Sequence, residues 1–184
     1  MSHLGARETV ELAILGAALN CSLEIDEIVG SVRQMVGTKW HPTSDVIVEG
    51  LRNLLSEGFV DIEPLRCADC RTREESDGRF HTSIAGRARL EVLLKMKISN
   101  FRTPPGSVCI GLKVCLLEVL RHDDRAPQIE ELIELHEAEI GRLGEEVYRY
   151  QRAFGFVGQW LAHELECLRS EIAWLRELMP DVGG

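Results

Sequence analysis

Aromatic residues and long apolar runs are both scarce in this sequence. Phe, Trp and Tyr make up 5% of its 184 residues, and no uninterrupted apolar run reaches about 18 residues, the length that spans a bilayer. The N-terminal segment has Glu8 and Glu11 where a secretory signal would have a basic start and then an apolar stretch. With 45% apolar and 28% charged residues, the composition predicts a globular, cytoplasmic protein with a substantial core.

The local motifs of the common enzyme classes are also absent. The sequence has no phosphate-binding glycine-rich loop, no nucleophile elbow and no HExxH pair. Each of these motifs positions a particular nucleophile, base or metal ion, so their absence excludes the chemistries that depend on them. We therefore predict that the chain is not an enzyme and uses no cofactor.

The six cysteines do not suggest a disulfide framework. They occur at positions 21, 67, 70, 109, 115 and 167, in a chain large enough to be held together by packing, so reduced thiols are predicted. Cys67 and Cys70 have the spacing of half a zinc site, but there is no second CxxC and only His81 is near in sequence. A redox pair is an alternative, since Arg66 and Arg71 favour a thiolate. Two incidental loop cysteines are the third interpretation.

Basic residues are outnumbered, and the net charge is −9. This total disfavours nucleic acid, which attracts proteins through phosphate neutralisation. The acid is unevenly distributed, however. Residues 1–100 hold 12 basic and 15 acidic side chains, whereas residues 118–150 hold 4 and 10. Because affinity depends on the local field, a basic surface in the first half is compatible with the total charge.

Three helices are predicted in the first 58 residues. Apolar residues recur at helical spacing in the segments Val10–Leu19, Leu23–Val32 and Val46–Leu55. Gly37 and Gly58 are predicted to end the second and third of these helices, and Thr43 or Ser44 to cap the third.

A two-stranded β-wing is predicted after the third helix. Phe59, Val60 and Ile62 indicate one strand, Arg79–Ser83 the returning strand, and Ser83 the cap of a further helix that runs through Leu94. Three helices, a ribbon and a following helix make a winged helix-turn-helix. The fold class is therefore mostly α.

The Pro104-Pro105-Gly106 triplet is predicted to divide the chain, because these residues disfavour helix continuation. Residues 1–100 are predicted to form the winged domain and residues 107–184 an all-helical dimerisation domain. A three-four apolar spacing runs from Ile129 to Phe154, with an acidic stretch from Glu130 to Glu146 as its solvated face. A second seam follows in the last helix, where the predicted dimerisation residues are Leu161, Leu165, Leu168, Ile172 and Leu175. Either the two helices fold back on each other and pack on the winged domain, or one crosses to a second chain.

Four segments resemble the PadR-type transcriptional regulators. They are ELAILGAAL at 11–19, LRNLLSEGFV at 51–60, FHTSIAGRARL at 80–90 and GLKVCLLEVL at 111–120, followed by a final helix, 154–178, similar to the family's dimerisation helix. The resemblance implies a homodimeric repressor that binds the inverted-repeat operator of a double-stranded DNA, with a ligand or redox event as the signal for release. A crevice at the predicted domain junction favours a small aromatic or hydrophobic effector.

Helix three departs from the family pattern. Ile47-Val48-Glu49-Gly50 replaces a Leu-Tyr-Pro-Ala-like segment. Asp45 and Glu49 would repel phosphates unless they accept hydrogen bonds from cytosine amino groups. A degenerate winged helix used for protein contacts is therefore an alternative function, as is a thiol or metal sensor built on Cys67 and Cys70.

Polar residues around the third helix and the wing are the candidates for DNA contact, because the second helix of such a motif enters the major groove. They are Lys39, His41, Thr43, Ser44, Arg52, Asn53, Arg71, Arg73 and Arg79. Aromatic residues near the predicted domain junction are candidates for an effector pocket. They are Trp40, Phe101, Trp160 and Trp174, of which the last two are alternatively core or interface anchors.

Overall fold

The computed structural model describes residues 3–37, 39–64, 78–98, 102–150 and 156–183. They fall into two compact units, Met1–Leu120 and Arg121–Gly184. The elements of the first unit are β1 (His3–Leu4), α1 (Ala6–Ala17), α2 (Ile25–Val36), α3 (Ser44–Ser56), β2 (Val60–Pro64), β3 (Gly78–Thr82), α4 (Ile84–Lys95), β4 (Lys97–Ile98), α5 (Pro104–Cys115) and a short 3-10 helix (Leu117–Val119). The second unit contains α6 (His122–Tyr150) and α7 (Val157–Gly183).

Helix α1 is the centre of the first unit. Its residues Leu12, Ala13, Ile14 and Leu15 are completely buried, and α2, α3, α4 and α5 all contact it. An apolar surface on all sides is typical of a helix that other helices surround. The amphipathic helices α2 and α3 each turn one apolar stripe towards this centre, through Ile28, Val29, Val32 and Val36 and through Ile47, Leu51 and Leu54.

The predicted helix ends are confirmed. Gly37 and Gly58 follow α2 and α3 with φ values of +61° and +75°, a left-handed conformation that glycine adopts readily. Thr43 caps α3, its Oγ1 accepting a hydrogen bond from the Val46 amide at 3.5 Å. Ser83 caps α4 by accepting from the Gly86 amide at 2.9 Å.

The predicted wing is an antiparallel hairpin of β2 and β3, with Val60 opposite Thr82 and Pro64 opposite Gly78. The Leu23 and Phe80 backbones exchange hydrogen bonds of 2.8 and 2.9 Å, which join β3 to the segment before α2. A second pairing was not expected from the sequence. The parallel strands β1 and β4 pair in register, the N-terminal segment lying beside the end of α4.

The division of the chain differs from the sequence-based one. The prolines of the Pro104-Pro105-Gly106 triplet occupy the first positions of α5, and Thr103 Oγ1 accepts from the Gly106 amide at 3.2 Å. Proline suits the first turn of a helix, where its missing N–H has no helical partner in any case. Helix α5 buries Val108, Cys109 and Leu112, so the first compact unit extends to Leu120.

Helices α6 and α7 pack against each other within one chain. Helix α6 contributes Ile129, Leu132, His136 and Leu143 to the contact, and α7 contributes Leu161, Leu165, Leu168, Ile172 and Leu175, all buried. The five predicted dimerisation residues are therefore the apolar face that α7 turns towards α6. A buried histidine joins the pair, with His136 Nδ1 at 2.7 Å from the Leu132 carbonyl and Nε2 at 3.0 Å from Glu171 Oε2.

Gly86 is the tightest position among the described glycines. A Cβ added there would lie 1.9 Å from the carbonyl oxygen of Phe59, a backbone atom that cannot move without shifting the start of β2. We expect Gly86→Ala to lower the free energy of unfolding by at least about 2 kcal/mol, as overpacking does. Chemical denaturation followed by circular dichroism measures this loss.

Gly111→Ala is the matched control. Gly111 lies on the exposed side of α5 with open space around its Cβ position, so alanine should stabilise the protein by about 0.5–1 kcal/mol through helix propensity. Equal stability of the Gly86→Ala and Gly111→Ala variants would contradict the close α4–β2 approach.

Candidate nucleic-acid interface

Helix α3 presents a polar outer face that its packing fixes in direction. Ile47 and Leu54 are buried on the inner side, at 0% and 1% exposure. The outer side exposes Ser44, Asp45, Glu49, Arg52 and Asn53. This face carries one basic and two acidic side chains, so it is not a simple phosphate-binding surface.

Two cations, Arg33 and Lys39, lie at the N-terminal end of α3, where Asp45 in the first turn is an opposing charge. Lys39 and His41 are exposed in the segment just before the helix. Arg33, in the last turn of α2, donates a hydrogen bond from Nη2 to Ser44 Oγ at 2.8 Å. Free amides at a helix N-terminus also favour anions. This end of α3 is therefore suited to holding a phosphate.

Arg33 was missed by the sequence prediction. It belongs to a different helix from Ser44, eleven residues earlier, and an arginine near the end of a helix is usually assigned to the solvent or to the helix carbonyls. Only the turn between α2 and α3 brings it beside the start of α3. No local signal in the sequence identifies that contact.

Arg52 and Asn53 are both exposed on α3, but they face different surroundings. Arg52 forms no ion pair with any residue that the structure describes. Asn53 lines a cleft between α1 and α3, together with Trp40. The two residues, predicted together as base-contacting candidates, therefore occupy different sides of the exposed face.

Arg79, predicted as a wing contact to DNA, has an internal role in the structure. Its Nε and Nη2 atoms donate to the carbonyl oxygen of Ser22 at 3.1 and 2.7 Å. Glu24 and Glu27 lie 3.9 and 3.7 Å away. The guanidinium thus fastens β3 to the start of α2. The other two predicted wing cations, Arg71 and Arg73, lie outside the described residues.

The candidate metal and redox residues Cys67 and Cys70 also lie outside the described residues. His81, the histidine nearest to them in sequence, places Nε2 at 3.7 Å from Asp61 Oδ2 across the hairpin. Among the residues that the structure describes, no group of three or more His, Cys, Asp or Glu side chains could hold a metal ion.

The four described cysteines are free thiols, and they differ in exposure. Cys109 is buried and shares a 3.0 Å hydrogen bond with Thr9 Oγ1. Burial raises the pKa of the Cys109 thiol above its ordinary value, against the smaller opposing effects of Thr9 and Lys113. Because the thiolate is the reactive form, Cys109 is a packing residue and not a nucleophile.

The aromatic residues predicted to line an effector pocket belong to different units. Trp40 lines the α1–α3 cleft of the first unit, where every lining residue comes from that unit. Trp160 and Trp174 lie on α7 and are 62% and 48% exposed. Phe101 lies outside the described residues.

Helix α7 has a second apolar stripe next to the one that faces α6. Trp160 and Trp174 are its exposed members, and the exposed Phe156 directly precedes the helix. The rings of Trp160 and His163 are 5.8 Å apart, and Cys167 Sγ lies 3.7 Å from His163 Nε2. The positions 156, 160, 163, 167 and 174 follow the spacing of one helix face. In this single chain the stripe is open to solvent.

The first unit is a winged helix-turn-helix whose third helix is exposed on its polar side. The sequence matches the family model described as "Putative AphA-like transcriptional regulator" over residues 2–179. The chain belongs to this family. The sequence-based prediction of a regulator that is not an enzyme is confirmed by this match.

Similar solved structures are PadR regulators. Bacillus subtilis PadR in complex with operator DNA aligns at 16% identity and a TM-score of 0.40, covering 94% of this chain and 98% of that one. The same protein in complex with p-coumaric acid aligns at 14% and 0.40, covering 98% and 99%. A PadR-like regulator from Bacillus cereus aligns at 16% and 0.39, covering 94% and 97%.

A search of curated proteins finds no match. Within the part of the chain that the structure describes, no helix is long and apolar enough to cross a membrane.

The internal contacts of Arg79 lead to a prediction about stability. Arg79→Ala removes two hydrogen bonds to the Ser22 carbonyl, and we expect a loss of about 1–2 kcal/mol in the free energy of unfolding, given that the side chain is partly solvated. Arg87→Ala is the control, because Arg87 is exposed on α4 and its side chain forms no hydrogen bond or ion pair with a described residue. Thermal and urea unfolding of both variants measure the difference. Equal loss in the two would mean that Arg79 does not hold the wing.

Proposed function

We propose that this regulator is a homodimer that binds an inverted-repeat operator through α3 and represses transcription. The observation that carries the proposal is the orientation of α3 in the first unit. Its apolar stripe is buried against α1, its polar side is exposed, and the cations Arg33 and Lys39 stand at its N-terminal end. In a helix-turn-helix the same end of the second helix approaches base edges while neighbouring groups hold phosphates.

We assign different tasks to the candidate DNA residues. Arg33, Lys39 and His41, together with the hydroxyls of Thr43 and Ser44, would contact the phosphate backbone. Arg52 would read guanine by donating two hydrogen bonds to its O6 and N7 atoms, and Asp45 or Glu49 would accept from a cytosine amino group. A mixed surface of this kind gives weak non-specific binding, because few phosphates are neutralised, and leaves selectivity to base contacts.

The exposed stripe of α7 supports the proposed dimer. Since the Leu161–Leu175 face is occupied by α6 of the same chain, we place the contact between chains on the adjacent stripe, with Trp160 and Trp174 as anchors. Exposed tryptophans on one helix face are unusual in a monomer and common in interfaces. A two-fold dimer would supply two α3 helices, one for each half-site of an inverted repeat.

Release of the operator is proposed to follow binding of a small effector. An effector regulates only if it prefers one conformation, and a shift from 1:99 to 99:1 takes about 5.5 kcal/mol of differential affinity. Oxidation of Cys67 and Cys70 is the alternative switch, which would act on the wing. A regulator of transcription works in the compartment that holds the DNA, which agrees with the expected cytoplasmic location.

Asp45 and Glu49 favour a second candidate function, a protein-interaction module. Both carboxylates are exposed on α3, where each would repel a phosphate that it approached. A winged helix that no longer binds DNA would keep the same buried residues and the same hairpin. The two functions differ in whether a duplex is selected.

Selection from a random duplex library at about 50 mM salt tests the DNA proposal. We expect an enriched palindromic sequence, and a loss of preference at one position in each half-site for Arg52→Ala, where a base contact is worth about 1–3 kcal/mol. Lys39→Ala should weaken binding uniformly and reduce its salt dependence. Arg87→Ala should leave both unchanged. If no sequence is enriched by the wild-type protein, the interaction module is the correct function.

Sedimentation of two sets of α7 variants tests the dimer. Trp160→Ser with Trp174→Ser should give a folded monomer, because both side chains are exposed within one chain and their loss leaves the α6–α7 contact intact. Leu168→Ala should instead cost about 2–5 kcal/mol of stability, since the side chain is 7% exposed in that contact. Gln159→Ala with Ala173→Ser controls for surface changes on α7. A double tryptophan variant that sediments as a dimer would place the interface elsewhere.

A further inference from the structure

The first unit contains a cleft between α1 and α3 that shares Trp40 with the predicted effector site but has no lining residue from α7. Its volume is about 300 Å³, at the small end of the range for small-molecule sites. Trp40 and Val46 line it, together with Val10 of α1. Val46 is 45% exposed, so the cleft is open to solvent beside an apolar wall.

Gly50 brings the two helices together at this cleft. A Cβ at Gly50 would lie 3.0 Å from Val10 Cγ1 and 3.1 Å from Ile14 Cδ1, which is tighter than ordinary contact. The backbone of α3 therefore forms part of the lining. The helix face that follows the cleft consists of Val46, Glu49, Gly50 and Asn53.

The charged side chains at the cleft differ in whether they already have a partner of opposite charge. Arg7 donates to Glu11 at 2.9 Å and lies 3.4 Å from Glu57. Glu11 also accepts from Arg89 at 2.8 Å. These four groups neutralise one another. Glu49, by contrast, makes no ion pair or side-chain hydrogen bond with a described residue.

The uncompensated charge in the lining is therefore negative and comes from Glu49. The amide of Asn53 is on the same wall, and it too has no side-chain hydrogen bond within the described part of the chain. The carboxylate of an anionic aromatic ligand would be repelled by Glu49. The Arg7 guanidinium, which could attract that carboxylate, is already paired with Glu11 and Glu57. A protonated amine meets an unpaired carboxylate there, and its aromatic ring can pack against the Trp40 indole.

We propose that this cleft binds small aromatic amines, with the ring against Trp40 and Val46 and the ammonium group at Glu49. A consequence for regulation rests on the proposed function. Glu49 and Asn53 belong to the exposed side of α3, so an amine at Glu49 and an operator at α3 compete for the same side chains. Amine binding should then lower the affinity for DNA.

Three probes of similar size test the binding itself. Phenethylamine, 2-phenylethanol and 3-phenylpropionate share one ring and differ in the charge of the end group. Titrations of the full chain are followed by calorimetry and by the indole N–H resonance of Trp40, which is assigned with Trp40→Phe. We expect the amine to bind about two- to fivefold more tightly than the alcohol, the ratio that an exposed ion pair supplies, and the carboxylate to bind least.

Two variants of α3 locate the charge preference. Glu49→Gln keeps the size of the side chain and removes its charge, so the amine-to-alcohol ratio should fall to about one. Asp45→Asn, an exposed carboxylate outside the lining, should keep the ratio of the wild-type protein. The proposal is overturned if phenethylamine leaves the Trp40 resonance unmoved, or if the ratio is the same in Glu49→Gln and Asp45→Asn.

The regulatory consequence has its own readout. With the selected operator, phenethylamine should raise the Kd for DNA in the wild-type protein and not in Glu49→Gln. Amine binding that leaves the Kd unchanged contradicts the competition alone. Failure to select any duplex contradicts the proposed function alone, since the Trp40 titration contains no DNA.

Discussion

The burial of the central part of α1, from Thr9 to Leu15, is the constraint on which the rest of the first unit depends. Four consecutive residues, Leu12 to Leu15, have no exposed surface, so every side of this helix must be covered by another element. Helices α2, α3, α4 and α5 supply that cover. Burying each large apolar side chain contributes about 1.5–3 kcal/mol, and the direction of α3 follows from the stripe that it must bury. Because that stripe faces α1, the polar side of α3 is left exposed to solvent.

Polar contacts fix the wing to the same centre. Thr82 at the end of β3 donates from Oγ1 to the Leu15 carbonyl at 2.9 Å and from its amide to the Ala18 carbonyl at 2.9 Å. Arg79 at the other end of the strand holds the Ser22 carbonyl. The hairpin and α3 therefore share one support, and a change in α1 would move both. Such a shared support is what a protein needs if a ligand beside α1 is to alter the surface of α3.

Helix α7 has two apolar faces, one buried by α6 and one exposed. Its leucine and isoleucine stripe is buried by α6, while the tryptophan stripe is one position away along the sequence, about 100° around the helix. The first stripe stabilises the chain by itself, and the second gives the helix a separate apolar face. Because the two faces belong to different contacts, folding of the α6–α7 pair and association of two chains are distinct steps in the proposed dimer.

The sequence by itself determined the elements with strong local signals. The period of apolar residues located α1, α2 and α3, while Gly37, Gly58, Thr43 and Ser83 set ends that depend on backbone conformation and on a nearby hydroxyl. These signals act within a few residues, so no tertiary information is needed.

Contacts between distant residues were decided by the tertiary structure alone. The proline triplet lies at the start of α5, which packs against α1. The leucine stripe of α7 faces its own chain because α6 packs against it. Arg33 contacts Ser44 because the turn between α2 and α3 brings the two residues together. The cleft at Trp40 likewise exists because Gly50 lets α3 approach α1. Each of these contacts depends on which surfaces pack together in space, and the sequence around each residue does not indicate its distant partner.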